Sequence, residues 1–130
     1  MRYLLDTHIV LWFAENSPKL SEPAKTIILD ETDEKYVSVA SCWEVSIKLS
    51  IGKLGLIGGI SEYFRIIERN GFYLLDIMED YLIALETLPF HHRDPFDRLL
   101  VATALANSFV LLSDDSKLQA YAGEKLLIVS

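Results

Sequence analysis

The sequence predicts an α/β fold with three layers: helices on both faces of a short-stranded, mainly parallel central sheet. Two observations carry this. Strands of four or five residues alternate with helical stretches all along the chain, a pattern that right-handed crossovers turn into a parallel sheet. In addition, residues 95–107 (PFDRLLVATALAN) contain a run that is apolar nearly all round, with the small side chains Ala102, Thr103, Ala104 and Ala106. A helix packed closely on a sheet has this character. No repeat, low-complexity segment or long linker divides residues 1–130, so a single domain is expected.

Tyr3 to Leu5 form the first strand, which stops at Asp6. THIVLWFAEN follows as a helix capped by Asp6 or Thr7, and Ser17-Pro18 breaks it. SEPAKTIILDE starts a second helix, with Ile27, Ile28 and Leu29 apolar. YVSV (36–39) is the second strand and SCWEVSIKLSIGKLG the third helix, ending near Gly52. SEYFRIIERNG (61–71) is helical with Gly71 as its stop. FYLLDI is the third strand, and MEDYLIALETL a helix that ends before Pro89. The apolar helix opens with Asp94 at the N-cap, Pro95 at the first position and Asp97 at the third. FVLL (109–112) is the fourth strand, SDDSKLQAYAG a short helix behind a turn, and KLLIVS the final strand.

Composition narrows the function. Apolar residues make up 51% of the chain, slightly more than a soluble domain of this size needs, so a partner is expected to cover part of the surface. The apolar run IVLWFA (9–14) is far too short to span a membrane. Asp6 and His8 interrupt what might otherwise read as an export signal, and a cytoplasmic location is expected. The single Cys42 lies in an apolar stretch and reads as a core side chain, and no zinc-ligand spacing exists. A net charge of −7 argues against a surface that coats nucleic acid generally. It leaves room for a local phosphate site in which divalent cations and a few placed basic groups offset repulsion.

The acids are the informative residues. Asp6 ends the first strand, Glu44 lies early in the helix after the second, Asp97 is in the first turn of the long helix, and Asp114 and Asp115 follow the fourth strand. In a parallel sheet these positions share one edge, where ligands gather. Two unit charges about 4 Å apart repel by roughly 4 kcal/mol at an effective dielectric near 20, so crowded acids either hold protons or bind a hard divalent ion such as Mg²⁺ or Mn²⁺. Such an ion, with water in its shell, suits phosphodiester hydrolysis. Several readings stay open on pattern alone. Asp94 and Asp97 are also plain helix caps. The stripe Ser41, Glu44, Lys48 is either the floor of a cleft or an exposed ion pair. Asp76 ends a strand as Asp115 does, while Asp30, Glu31 and Asp33 read as solvated turn residues.

LLDTHIVLW, SCWEVSIKLSIGKL, HHRDPFDRLLVATA and LLSDD, in this order, resemble the PIN-domain ribonucleases, above all the VapC-like toxins of type II toxin–antitoxin modules. The resemblance spans at least residues 3–121. It implies that Asp6, Glu44, Asp97 and Asp115 are the catalytic and metal-binding acids, with Asp115 placed two positions beyond Ser113. Asp114 then falls on a variable position, the two adjacent aspartates make that last assignment ambiguous, and Asp94 becomes a cap or outer neighbour. It further implies Mg²⁺ or Mn²⁺ as cofactor, RNA as substrate, a homodimer and a cognate antitoxin as partners.

On this reading Asp6, Asp97 and Asp115 hold one or two ions, Glu44 orients a water or a ligating group, and Ser113 steadies the cluster. Lys48, Arg93 and Arg98 are candidates for the RNA backbone, each also readable as a surface charge or an ion-pair partner of Asp94 or Asp97. His91 and His92 read as loop residues; Trp12, Phe13 and Trp43 as core or interface aromatics. The alternative from another class is a catalytically silent PIN-like protein-binding module. A phosphatase using Asp6 as nucleophile is disfavoured, because His8 stands where that chemistry calls for a second aspartate.

Overall fold

A computed structural model describes residues 1–123 and 126–130. Its centre is β1 (Arg2–Leu5), in which Leu4 and Leu5 are fully buried. β1 is flanked by β2 (Glu34–Ser38) on one side and β4 (Val110–Leu112) on the other. The edges are β3 (Tyr73–Leu75) and β5 (Ile128–Val129), giving the order β3-β2-β1-β4-β5 with every pairing parallel. The expected mainly parallel sheet is present. Its register sets Tyr3 beside Lys35 and Val110, and Leu5 beside Leu112.

Alternation along β1 separates the two helical layers, because successive side chains point to opposite faces. Tyr3 and Leu5 join Val37, Val110 and Leu112 in a core with α1 (Thr7–Ala14), α2 (Glu22–Leu29), α3 (Val39–Ser50) and α4 (Gly59–Arg69). Leu4 and Leu111 face the other way and pack on Leu100, Val101 and Ala104 of α6 (Pro95–Asn107). α5 (Glu79–Glu86) lies against α6. A smaller cluster of Ala40, Tyr81 and Leu99 ties α3, α5 and α6 together. Residues 98–104 of α6 are all buried, as the small-residue run requires.

The element boundaries differ from the expected ones for local reasons. α3 starts at Val39, inside the expected strand, because the Ser38 hydroxyl accepts from the Ala40 amide and caps the helix at once. β3 is three residues rather than six, as an edge strand with a single neighbour. The short helix after β4 is a 3₁₀ turn, Ser116–Tyr121, capped by Asp115. Of the last expected strand, Ile128–Val129 pairs with β4, and Lys125 lies outside the described residues. Of the two readings of Trp43, core or interface aromatic, the core one does not hold: it is 59% exposed, with its ring edge-on to Phe96. Cys42 is buried, which pushes its thiol up to about 11. Among the described residues no helix is long and apolar enough to cross a membrane.

Candidate active site

The chain after β1 runs to one side of the sheet through β2 and β3, and returns to the other side through β4 and β5. A crevice beyond the carboxyl ends of β1 and β4 is the geometric result. It holds a cavity of about 260 Å³ lined by Asp6, His8, Ile9, Trp12, Glu44, Lys48, Asp94, Asp97, Asp114 and Asp115. Asp76, on the far edge, is exposed and is not among the lining residues.

Asp6 is the most constrained of the acids. Its amide continues the ladder to Leu112, and its side chain caps α1. Oδ1 accepts from the Thr7 amide (2.7 Å), and Oδ2 accepts from the Ser113 hydroxyl (2.7 Å). Burial still raises its pKa above the ordinary carboxylate value, against the lowering by those two donors. The Thr7 hydroxyl donates to Glu44 Oε1 (2.7 Å), and Lys48 Nζ donates to Oε2 (2.9 Å). Glu44 is buried and Lys48 partly so, and the hydrogen bond to Glu44 raises the Lys48 pKa and keeps it charged. The stripe on α3 is thus both an i, i+4 ion pair and one wall of the cleft. Ser41 continues it into the interior, where its hydroxyl has no partner among the described residues.

At the start of α6, Asp94 Oδ1 accepts from the amides of Phe96 (2.8 Å) and Asp97 (3.2 Å), which leaves the Asp97 carboxyl directed into the cluster. Burial first, then the charges of Asp6, Asp94, Glu44 and Asp115, push Asp97 up to about 8. Asp115 binds the Lys117 amide through Oδ1 (2.9 Å), while its own amide donates to the Ser113 hydroxyl (3.2 Å). Asp114 is exposed at the rim.

His92, read from sequence as a loop residue, sits inside this cluster. Its Nε2 is 3.2 Å from Asp115 Oδ2 and 3.3 Å from Asp97 Oδ2, and the three atoms lie within 4.8 Å of one another. Its Nδ1 accepts from the Asp94 amide (3.0 Å). A backbone N–H can only donate, so the neutral ring carries its proton on Nε2 and gives it to the carboxylates. Offering that nitrogen to a metal would put a proton on Nδ1 against the Asp94 amide. The cluster therefore suits a cation through its carboxylate oxygens, which fit a hard divalent ion, with His92 as a hydrogen-bond donor beside them. A histidine two residues before an N-cap aspartate was the available sequence signal for this contact.

A model of the PIN domain matches residues 3–124. The chain belongs to the PIN domain family. Ribonuclease VapC22 of Mycobacterium tuberculosis is 27% identical over 126 residues, covering 91% of this chain and 90% of that protein. Among solved structures, VapBC2 from Rickettsia felis bound to a promoter DNA fragment matches with a TM-score of 0.73 at 13% identity, covering 99% of this chain and 98% of that one. VapBC-1 from nontypeable Haemophilus influenzae matches with a TM-score of 0.69 at 21% identity, covering 99% and 97%. These likenesses show the same fold over the full sheet and both helical layers.

Of the expected basic contacts, Lys48 lines the cleft and Arg93 is exposed next to it. Arg98 corrects the expectation. It is buried, and its guanidinium donates to the carbonyls of Leu88 (3.3 Å) and Pro89 (2.9 Å) and to the Tyr121 hydroxyl (3.2 Å). It holds the loop before α6 and is closed off from a phosphate. Arg98→Ala leaves the Leu88 carbonyl unpaired and the Pro89 carbonyl to the Tyr121 hydroxyl and the His91 amide, and is expected to cost about 3 kcal/mol in urea unfolding.

Asp97 makes stability depend on pH in a predictable direction. A carboxyl that binds its proton more tightly when folded contributes stability in full below the ordinary value near 3.8. That contribution is lost as pH rises through about 8. In EDTA, thermal midpoints of the wild-type chain should fall between pH 4 and 8 more steeply than those of Asp97→Asn; parallel profiles would refute the assignment.

Proposed function

We propose that the chain is a metal-dependent endoribonuclease and the toxin of a toxin–antitoxin pair. One observation carries this reading: acids from four separate segments converge on one crevice at the sheet's switch point, where burial first and then their charges push Asp97 up to about 8. Membership of the PIN family and the likeness to a VapC ribonuclease support the substrate class.

Asp6, Asp97 and Asp115 would hold Mg²⁺ or Mn²⁺, with Glu44 completing the set. A divalent cation at such a site polarises a phosphate oxygen and acidifies a bound water. The chain's own residues do the rest. Ser113 and the Thr7 amide fix the Asp6 carboxylate, so its orientation costs no reorganisation. Glu44, held by the Thr7 hydroxyl and the Lys48 ammonium, orients a water. Asp97, which burial and its acidic neighbours push up to about 8, would have to give up its proton to serve as a ligand. Lys48 and Arg93 meet the RNA backbone. Of the two adjacent aspartates Asp115 is the fourth acid, supported by its contact with His92, with Asp114 at the rim.

An antitoxin partner follows from the toxin reading, and likeness to the VapBC structures supports it. A homodimer is supported by exposed apolar side chains on α3 (Trp43, Ile47), at its C-cap (Ile51) and on α5 (Leu82, Ile83).

With Mn²⁺ the purified chain should cut single-stranded RNA, and EDTA should stop it. Asp6→Ala should abolish cleavage, while Ser113→Ala should retain it at a rate lowered about 10–100-fold, as for other residues that orient a ligand. Cutting that persists in Asp6→Ala would reject the proposal.

A further inference from the structure

The loop between Leu88 and Asp94 exposes an aromatic ring that the catalytic acids do not use. Phe90 is 84% exposed, yet it is held in place. The Arg98 guanidinium lies over one face of the ring, 3.8 Å from its centre. Arg98 is anchored on the Leu88 and Pro89 carbonyls. The Tyr121 hydroxyl donates to Pro89 and accepts from the amides of His91 (3.0 Å) and His92 (3.2 Å), so the loop is fastened from two elements. A ring pinned by a cation on one side presents its other face, already immobilised, to whatever approaches.

Beside it lies a cleft of about 360 Å³ lined by Phe90, His91, His92, Arg93 and Lys117. No acid is among these lining residues, although the chain carries a net charge of −7. Among the described residues neither Arg93 nor Lys117 is in an ion pair. One wall is His92, whose Nε2 reaches Asp97 and Asp115, so the cleft adjoins the acid cluster directly.

We infer that this cleft is a subsite for a single-stranded stretch of RNA next to the scissile phosphate. An unpaired base stacks on the open face of Phe90, and Arg93 and Lys117 meet the neighbouring phosphates. The inference rests on the ribonuclease reading and adds where on the surface an unpaired strand is held. Every base has a face that can stack on an aromatic ring, but in a duplex both faces are taken by its neighbours. Backbone cations then hold the strand in register without reading sequence. A protein segment could also cover Phe90. The acid-free lining and the continuity with the acid cluster favour the strand that already reaches the cutting site.

Binding is tested on Asp6→Asn with millimolar Mn²⁺, and on Asp97→Asn as a second silenced background. The probe is a short RNA carrying 2-aminopurine, single-stranded or annealed to its complement, and cleavage of the same RNA by the wild-type chain is followed in parallel. The single strand should bind more tightly than the duplex, with quenched fluorescence. Phe90→Leu should weaken binding about tenfold and lose the quenching, and Phe90→Trp should restore both. Arg93→Ala combined with Lys117→Ala should reduce the slope of log affinity against log salt by about 1.4. Full affinity and quenching in Phe90→Leu, an unchanged salt slope in the double variant, or equal binding of the duplex overturns the subsite. If the wild-type chain still cuts RNA in that case, the ribonuclease reading survives and the surface passes to a protein partner. A wild-type chain that neither cuts nor binds RNA overturns both.

Discussion

Repulsion between carboxylates governs the crevice. Parallel strands all end on one edge, and the helix starts that follow them lie on the same edge, so acids at those positions are forced together. Five groups with no negative charge of their own manage the crowding. Thr7 and Ser113 hydrogen-bond to oxygens of Asp6 and Glu44, Lys48 neutralises Glu44, His92 bridges Asp97 and Asp115, and the Asp94 amide orients that histidine. Asp97 is the acid left with least compensation, and it holds its proton towards the alkaline side of neutrality. A cluster balanced in this way is organised before any cation enters, so binding one requires a proton to leave more than a side chain to move.

The architecture was legible in the sequence because it depends on patterns that propagate along the chain. Alternation of short strands with helices gave the layers. The small residues of 102–106 gave the packed helix, and turn residues such as Gly52 and Gly71, both in the left-handed region, gave the stops. The acids were legible for the same reason: strand ends and first helical turns are sequence positions. What escaped depends on contacts between distant segments. Nothing local says that Arg98, charged and next to Asp97, turns away from the acids to hold Leu88 and Pro89. Nor does anything local give Tyr121 a hydroxyl shared by Pro89, His91, His92 and Arg98 across some thirty residues. The sequence left Trp43 between core and interface because helical pattern alone does not say which face is covered; here the first turn of α6 brings Phe96 against its edge and leaves the rest in water.

The resemblance to the toxins named four acids that pattern reading alone had left among seven, with Asp30, Glu31 and Asp33 set aside as turn residues. Geometry explains why these positions differ from Asp76 and from Asp30. β3 lies two strands away from the switch point, and the turn after α2 is on the opposite edge of the sheet, beside the starts of β1 and β2. An acid's place relative to the strand order, more than its neighbours in sequence, decides whether it can share a ligand.

The Ser113–Asp6 hydrogen bond joins residues 107 positions apart, and β1 has no neighbour in the sheet until β2 or β4 has been made. Such long-range closure slows folding, because chain entropy is lost well before the contact that repays it. During synthesis the first acid waits, without its hydroxyl partner, until the fourth strand has left the ribosome. A nascent chain therefore carries an incomplete crevice until residues 110–115 have emerged, and gathers its acids only as β4 joins the sheet.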